Sequence, residues 1–339
     1  MSDLRYAYDD TSLLTAVSDM TTPSTPVNRG YTYDSRARLD TSTGTGSGSG
    51  GDYDFDNSNR LTNALGATFT FDAAGQFTAS TTPAAGTTPA KTATYTYDAH
   101  GNRTKTVTAP TTGTATTRTY GYDNADRLTT YTDTATPGLT LGYTYDGNGL
   151  RATKTRTQSG TSSTQKFTWD TSAALPVLLA DDTNYYLYGP DDRPYSQINI
   201  STGAITYLHN DQAGSTIATT DTTGTRTATW DYDPYGNITT HTGTTAIPFL
   251  YTGEYRDPDT GLTYLRARDY DPTTATFLTR DPLEDITRSP YAYTDGNPLQ
   301  YADPTGLVNW RRAALVGLGA AVGVVAACLT VIACAPAAG

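Results

Sequence analysis

The chain has 339 residues and a net charge of −11, from 23 lysines and arginines against 34 aspartates and glutamates. Because the charge is acidic and the basic residues are scattered, we expect no nucleic-acid partner. Three histidines and two cysteines are too few for a zinc framework or a disulfide scaffold, so we expect no metal and no cofactor. The 26 tyrosines and 31 glycines favour an all-β fold with frequent turns.

A short sequence motif, or phrase, recurs along the chain: two aromatic residues separated by one position, then Asp, then a turn. Aromatic residues two apart point to one face of a β-strand, and Asp ends the strand because its side chain bonds the turn backbone. Each copy predicts one β-hairpin that pairs with its neighbours, since a lone hairpin is unstable. We therefore expect the repeat residues to be structural rather than catalytic. Clear copies are Tyr6-Ala7-Tyr8-Asp9, Tyr31-Thr32-Tyr33-Asp34, Tyr53-Asp54-Phe55-Asp56, Phe69-Thr70-Phe71-Asp72, Tyr95-Thr96-Tyr97-Asp98, Tyr120-Gly121-Tyr122-Asp123 and Tyr143-Thr144-Tyr145-Asp146, and a later one is Trp230-Asp231-Tyr232-Asp233.

The segment from Tyr251 to Leu307 carries a denser motif. Its parts are Tyr251-Thr252-Gly253-Glu254-Tyr255-Arg256-Asp257, Leu265-Arg266-Ala267-Arg268-Asp269-Tyr270-Asp271-Pro272, Phe277-Leu278-Thr279-Arg280-Asp281-Pro282 and Asp303-Pro304-Thr305-Gly306-Leu307. Repeats and segment together, over nearly all of residues 1–307, resemble the Rhs (tyrosine-aspartate repeat) family. That family includes bacterial polymorphic toxins, the C component of insecticidal toxin complexes, and teneurins.

The resemblance implies a hollow shell of spiralling antiparallel hairpins over residues 1–245. Residues 246–307 would form the core-associated plug that closes the shell. A variable C-terminal region, usually a toxin held inside, would begin at 308–339. Because the array is already under way at Met1, we expect a truncated gene or a C-terminal fragment of a longer shell.

The resemblance also implies a self-cleavage site. Asp281 and Asp303 would cut the bond between Leu307 and Val308, with Arg280 as the basic neighbour. Two nearby carboxylates share a proton, so that one can serve as base and the other as acid. The alternative is that these Asp-Pro pairs only form turns.

The sequence departs from the family pattern at two sites in this segment. Ala275-Thr276 stands where the family has Gly-Arg, and Glu284 stands where it has Gly. Both departures affect turn geometry and leave the two aspartates in place.

The tail differs in composition from the rest of the chain. Ala313 to Ala335 is uncharged and, at more than about 20 residues, long enough to span a bilayer as a helix. Arg311 and Arg312 flank the run as the positive-inside pattern predicts. The tail is thus predicted to be a short apolar helix, either membrane-inserting, or buried in the shell, or left from a lost domain.

The resemblance therefore implies a shell fragment that encapsulates and delivers a C-terminal toxin between bacteria, with aspartyl self-cleavage after Leu307. Expected partners are the enclosed segment and, further, secretion machinery, cell-wall glycan or membrane. We expect a secreted or cell-surface location, although residues after Met1 form no signal peptide. The alternatives are a non-enzymatic carbohydrate-binding surface protein and an inactive remnant.

Overall fold

The computed structural model describes residues 3–20, 27–44, 50–172, 175–190 and 192–311. The first strands are β1 (Leu4–Tyr8), β2 (Leu14–Asp19), β3 (Val27–Tyr33), β4 (Leu39–Gly44), β5 (Gly51–Phe55), β6 (Leu61–Ala64), β7 (Ala67–Phe71), β8 (Phe77–Thr82), β9 (Lys91–Tyr97), β10 (Arg103–Pro110) and β11 (Thr116–Tyr122). They continue as β12 (Leu128–Asp133), β13 (Thr140–Tyr145), β14 (Arg151–Gln158), β15 (Thr161–Asp170), β16 (Val177–Asp181), β17 (Asn184–Tyr188), β18 (Pro194–Asn199), β19 (Ile205–Asn210), β20 (Thr216–Thr220), β21 (Arg226–Tyr232) and β22 (Ile238–Gly243).

These 22 strands form one antiparallel sheet in which each strand pairs with the next along the chain. The predicted all-β hairpin array is therefore confirmed. A bulge lies beside each aspartate turn, for example between Gly121 and Tyr122. The Arg29 guanidinium on β3 lies 2.7 Å from the Asp231 carboxylate on β21. This contact shows that the sheet curves far enough for its two ends to meet.

The aspartate turn shows why the repeat needs its Asp. In the turn after β11, the carboxylate of Asp123 accepts the backbone N–H groups of Ala125, at 2.9 Å, and Arg127, at 3.1 Å. Asp126 takes a φ of +58° so that its own N–H reaches the Asp123 carbonyl. Glycine occupies that position in several other turns, because it adopts positive φ without strain. One carboxylate thus accepts the Ala125 and Arg127 N–H groups of the turn, which would otherwise lack a partner within the hairpin.

In several repeats the second aromatic residue of the motif joins its repeat to the one before. The Tyr145 hydroxyl donates to the Leu128 carbonyl at 2.6 Å, where the preceding return strand begins. The Arg127 guanidinium lies 4.7 Å from the Tyr145 ring centre and also pairs with Asp123. Equivalent bonds join Tyr33 to Leu14, Tyr122 to Arg103, Trp169 to Arg151, Tyr188 to Leu178 and Tyr232 to Thr216.

Replacing Tyr145 with Phe tests this contact between repeats. The ring and its stacking on Arg127 remain, whereas the Leu128 carbonyl loses its donor. We expect the free energy of unfolding to fall by about 1–3 kcal/mol, the usual cost of leaving a buried carbonyl unpaired. Urea unfolding measures the change. Tyr185→Phe, at an exposed tyrosine, is the matched control, and equal losses in both variants would contradict the assignment.

The plug lies against the inner face of the sheet. It contains β23 (Tyr255–Arg256), β24 (Thr263–Tyr264), β25 (Asp269–Asp271) and β26 (Thr276–Phe277) in one sheet. Its strand β27 (Tyr301–Ala302) pairs with β28 (Trp310–Arg311), which lies beyond the predicted plug boundary at 307. A four-residue helix, α1 (Glu284–Thr287), lies between β26 and β27. The 22-stranded sheet is called the wall below. Plug residues Tyr270, Phe277 and Tyr293 share one buried cluster with wall residues Leu39 and Phe77.

Buried ion pairs also join plug and wall. Arg103 lies 2.8 Å from Asp271, and Arg151 lies 2.9 Å from Asp269. Lys154 lies 2.5 Å from Asp257. The plug is thus held by charge as well as by apolar contact.

The outer face of the sheet is mostly threonine. Paired hydroxyls bond across neighbouring strands, as between Thr144 and Thr153 at 2.7 Å. Strands β16 to β19 and the turn after β18 differ, because their outward positions carry exposed apolar side chains. This apolar band consists of Leu179, Tyr185, Leu187, Tyr195, Ile200 and Tyr207.

Within the described ranges, none of the helices is long and apolar enough to cross a membrane. The predicted apolar helix at 313–335 lies outside those ranges. The boundaries at 245 and 307 between wall, plug and tail remain predictions.

Candidate self-cleavage site

The two predicted aspartates are buried at one place in the plug. Asp281 follows β26, and Asp303 follows β27 directly. A terminal nitrogen (Nη2) of Arg268, the residue before β25, lies 3.6 Å from Asp281 and 3.5 Å from Asp303. The fold therefore brings both carboxylates within reach of a single guanidinium group.

Asp303 also contacts the predicted cleavage site. Its Oδ1 accepts the backbone N–H of Leu307 at 3.0 Å and that of Val308 at 3.1 Å. The Thr305 hydroxyl donates to the same oxygen at 3.0 Å. The nitrogen of the Leu307–Val308 peptide bond is thus in hydrogen-bond contact with one aspartate of the pair.

Gly306 lets this loop approach the rest of the plug closely. Its φ is +69°, and a Cβ atom there would lie 2.7 Å from the Leu265 carbonyl oxygen and 2.9 Å from the Arg268 nitrogen. Arg268 in turn donates from Nε to the Gly306 carbonyl. Both the conformation and the space require glycine at this position.

Asp281 is held by its own turn. Its carboxylate accepts the Leu283 N–H at 2.8 Å and the Thr287 hydroxyl at 2.9 Å, both from the segment containing α1. Its backbone N–H donates to the Pro290 carbonyl at 2.8 Å. The side chain is therefore fixed in direction toward Arg268.

Burial controls the electrostatics of the site. It raises the pKa of Asp303 to about 6, against the opposing effects of the Arg268 charge and of the donated hydrogen bonds. Burial also lowers the pKa of Arg268, although the two aspartates act in the other direction. The Arg268 guanidinium packs 3.6 Å from the centre of the Phe277 ring. A carboxyl group with a pKa near neutrality can both accept and donate a proton.

Arg280, the predicted basic neighbour, lies elsewhere. Its side chain is exposed and pairs with Glu284 one turn along. Arg268 occupies the position between the aspartates instead, and sequence reasoning did not single it out. The signal that could have found it is its place in the dense Arg266-Ala267-Arg268 run.

The three histidines occupy three separate environments. His100 lies 3.0 Å from Asp126, and the His209 ring contacts the Thr220 hydroxyl at 2.9 Å. His241 stacks on Trp230 with ring centres 4.9 Å apart. The part of the chain that the structure describes contains no group of three or more potential metal ligands.

The curved hairpin sheet and its inner plug define a YD-repeat β-shell. The family model described as Teneurin YD-shell matches residues 184–303. This match supports an Rhs, or YD-repeat, shell protein.

Relatives in this family have names of toxins and nucleases. The tRNA nuclease WapA of Bacillus subtilis (strain 168) is 30% identical over 224 residues, which cover 63% of this chain and 9% of the relative. Toxin protein Tse5 of Pseudomonas aeruginosa is 30% identical over 105 residues, covering 31% of this chain and 8% of the relative. The chain therefore spans less than a tenth of either protein.

Solved structures show the same fold. The crystal structure of TcdB2-TccC3-Cdc42 superposes with a TM-score of 0.51 at 18% identity. The match covers 90% of this chain and 18% of that one.

Proposed function

We propose that this chain is the closing part of an Rhs shell that encloses a C-terminal segment and frees it by cutting the Leu307–Val308 bond. The observation that carries the proposal is the contact between the Asp303 carboxylate and the Val308 nitrogen, beside Arg268 and Asp281. Relatives named as toxins support a toxic cargo and a secreted or cell-surface location. Cleavage inside a shell would separate cargo from wall before release.

The geometry favours distinct roles for the two aspartates. Asp281, as a carboxylate, takes a proton from a water molecule that adds to the Leu307 carbonyl carbon. Asp303, in its protonated form, gives a proton to the Val308 nitrogen as the carbon–nitrogen bond breaks. Its Oδ1 accepts the Val308 N–H in the structure, which places the carboxyl group beside that nitrogen. The products are a carboxylate at Leu307 and an amine at Val308. The chain supplies its own substrate, which removes the entropic cost of a bimolecular encounter.

Mass spectrometry of the freshly purified chain tests the proposal. We expect a wall fragment ending at Leu307 and a second fragment beginning at Val308. Gly306→Ala, whose Cβ would collide with Leu265 and Arg268, is expected to reduce cleavage strongly. Gly203→Ala, at a positive-φ turn glycine with open space around it, is the matched control. An intact wild-type chain of 339 residues would refute self-cleavage.

Asp303 should also make stability depend on pH. Because its pKa rises from 3.8 to about 6 on folding, the folded chain binds more protons than the unfolded chain between these values. Raising the pH from about 5 to about 7 should therefore lower the free energy of unfolding, by roughly 1–1.5 kcal/mol through Asp303. Asp233, whose pKa is also raised to about 6 by burial, acts in the same direction.

Thermal unfolding across this pH range measures the effect. Uncleaved Asp281→Asn is compared with the Asp281→Asn/Asp303→Asn double variant, so that cleavage does not interfere. The double variant should lose less stability as the pH rises. Identical pH dependence in both chains would contradict the assigned cause.

A second candidate function is the binding of an uncharged polysaccharide by the apolar band. Tyr185, Tyr195 and Tyr207 are exposed on three adjacent strands, where other repeats carry small polar residues. Aromatic rings stack on the apolar faces of sugars, and the net charge of −11 disfavours an anionic polymer.

Retention on insoluble cellulose and chitin tests this second function. Tyr185→Thr/Tyr207→Thr should weaken retention about tenfold, the loss of two stacking contacts. Ile286→Thr, at an exposed apolar residue of the plug, should not change it. Equal retention of all three chains would exclude the apolar band as a sugar site.

A further inference from the structure

Arg266 connects three segments that meet beside the cleavage loop. Its Nη1 donates to the Pro304 carbonyl at 2.5 Å and to the Glu254 carboxylate at 2.8 Å. Its Nε donates to the Pro176 carbonyl at 2.8 Å, just before wall strand β16. One side chain thus joins the wall, the start of the plug and the loop that follows Asp303.

The backbone at Arg266 is held in a costly conformation. Its φ is +65°, which a non-glycine residue adopts only where its surroundings fix it. The neighbouring Ala267 N–H donates to the Thr305 carbonyl at 3.2 Å. Side chain and backbone of this turn therefore both contact the cleavage loop, at Pro304 and Thr305.

Glu254 gives Arg266 a fixed partner. Its carboxylate is buried, and burial raises its pKa while the Arg266 charge opposes the rise. Its backbone is fixed by bonds to Leu250 and Tyr251. A buried ion pair of this kind fixes the orientation of both side chains, because neither can rotate away without leaving a buried charge unpaired.

We propose that Arg266 is a positioning residue that makes self-cleavage depend on docking of the plug against the wall. The inference rests on the proposed self-cleavage. The Pro304 carbonyl is one residue from Asp303 and three from Leu307, so its placement sets the direction of the scissile bond. Until the plug meets the wall at Pro176, Arg266 lacks one of its three acceptors and the loop is not held in place. Cutting would then follow closure of the shell.

The test follows the cleavage rate during cell-free synthesis of the whole chain. Arg266→Met retains the stem but no donor, and we expect cleavage to slow by on the order of tenfold to a hundredfold, as small misplacements of reacting groups do. Arg266→Lys keeps a charge that can bond Glu254 and Pro304, and it should recover most of the rate. Arg256→Met, at a half-buried arginine on β23, is the matched control.

The possible results distinguish the positioning role of Arg266 from self-cleavage itself. Slowing in Arg266→Met alone, measured where both variants are folded and with recovery of the rate in Arg266→Lys, supports the positioning role. A wild-type rate in Arg266→Met overturns it and leaves self-cleavage standing. Equal slowing in Arg256→Met, or a lowered thermal midpoint without lysine rescue, indicates only a structural role and also overturns it. A wild-type chain that stays intact overturns both.

Discussion

Replacing Asp303 with Asn is expected to leave the Leu307–Val308 bond intact. The amide oxygen can still accept the N–H groups of Leu307 and Val308, so the loop keeps its shape. The amide cannot exchange a proton near neutral pH, and the rate should fall by roughly a hundredfold to ten-thousandfold, the usual contribution of a positioned acid or base. Mass spectrometry of the chain over several hours measures the loss.

Asp281→Asn should be as inactive, because the two carboxylates act as one unit. Asp285→Asn changes an exposed carboxylate in α1 and should cut at the wild-type rate. Combining Asp281→Asn with Asp303→Asn should add little to either single loss. Normal cleavage in Asp303→Asn would show that the pair forms turns and nothing more.

The second large effect is expected from Arg151. This side chain is buried between the rings of Tyr143 and Tyr264, with its guanidinium carbon 4.2 Å from both ring centres, and it pairs with Asp269. Arg151→Met leaves the Asp269 charge buried without its partner. We expect a loss of about 3–5 kcal/mol in the free energy of unfolding, seen as release of the plug to proteolysis at lower urea concentration.

Matched variants separate charge from packing at this position. Arg151→Leu/Asp269→Asn removes both charges and should recover a large part of the stability. Arg156, on the same strand as Arg151, forms a partly exposed pair with Asp259. Arg156→Met breaks that pair and should cost no more than about 1 kcal/mol. A loss in Arg151→Met as small as that in Arg156→Met would contradict a buried charge contact between wall and plug.

Local patterns predicted the wall well because the forces that form each hairpin are local. Alternating aromatic residues, an aspartate and a turn residue all lie within a few positions, and the structure pairs them as the repeat predicts. The same patterns contain a further signal. The fifth residue after the turn aspartate is Leu39, Leu61 or Leu128 in three repeats, whereas Arg103 and Arg151 replace it in two others.

That signal marks the two repeats as unusual but does not reveal their partners. Asp269 and Asp271 lie more than a hundred residues away, and only the fold brings them to the arginines. The same limit explains the cleavage site. The family resemblance named Arg280 as the basic neighbour of Asp281, whereas the three-dimensional arrangement places Arg268 beside the carboxylate.

The bond from the second aromatic residue to the preceding repeat has a consequence for how the wall is made. Each hydroxyl needs a carbonyl that the earlier repeat has already fixed, as Tyr145 needs Leu128 and Tyr122 needs Arg103. The contact therefore has a direction, from later repeats to earlier ones. A wall of this kind can be wound in the order in which a ribosome supplies it, each new hairpin being templated by the last. The plug, synthesised afterwards, then meets an inner surface that is already complete.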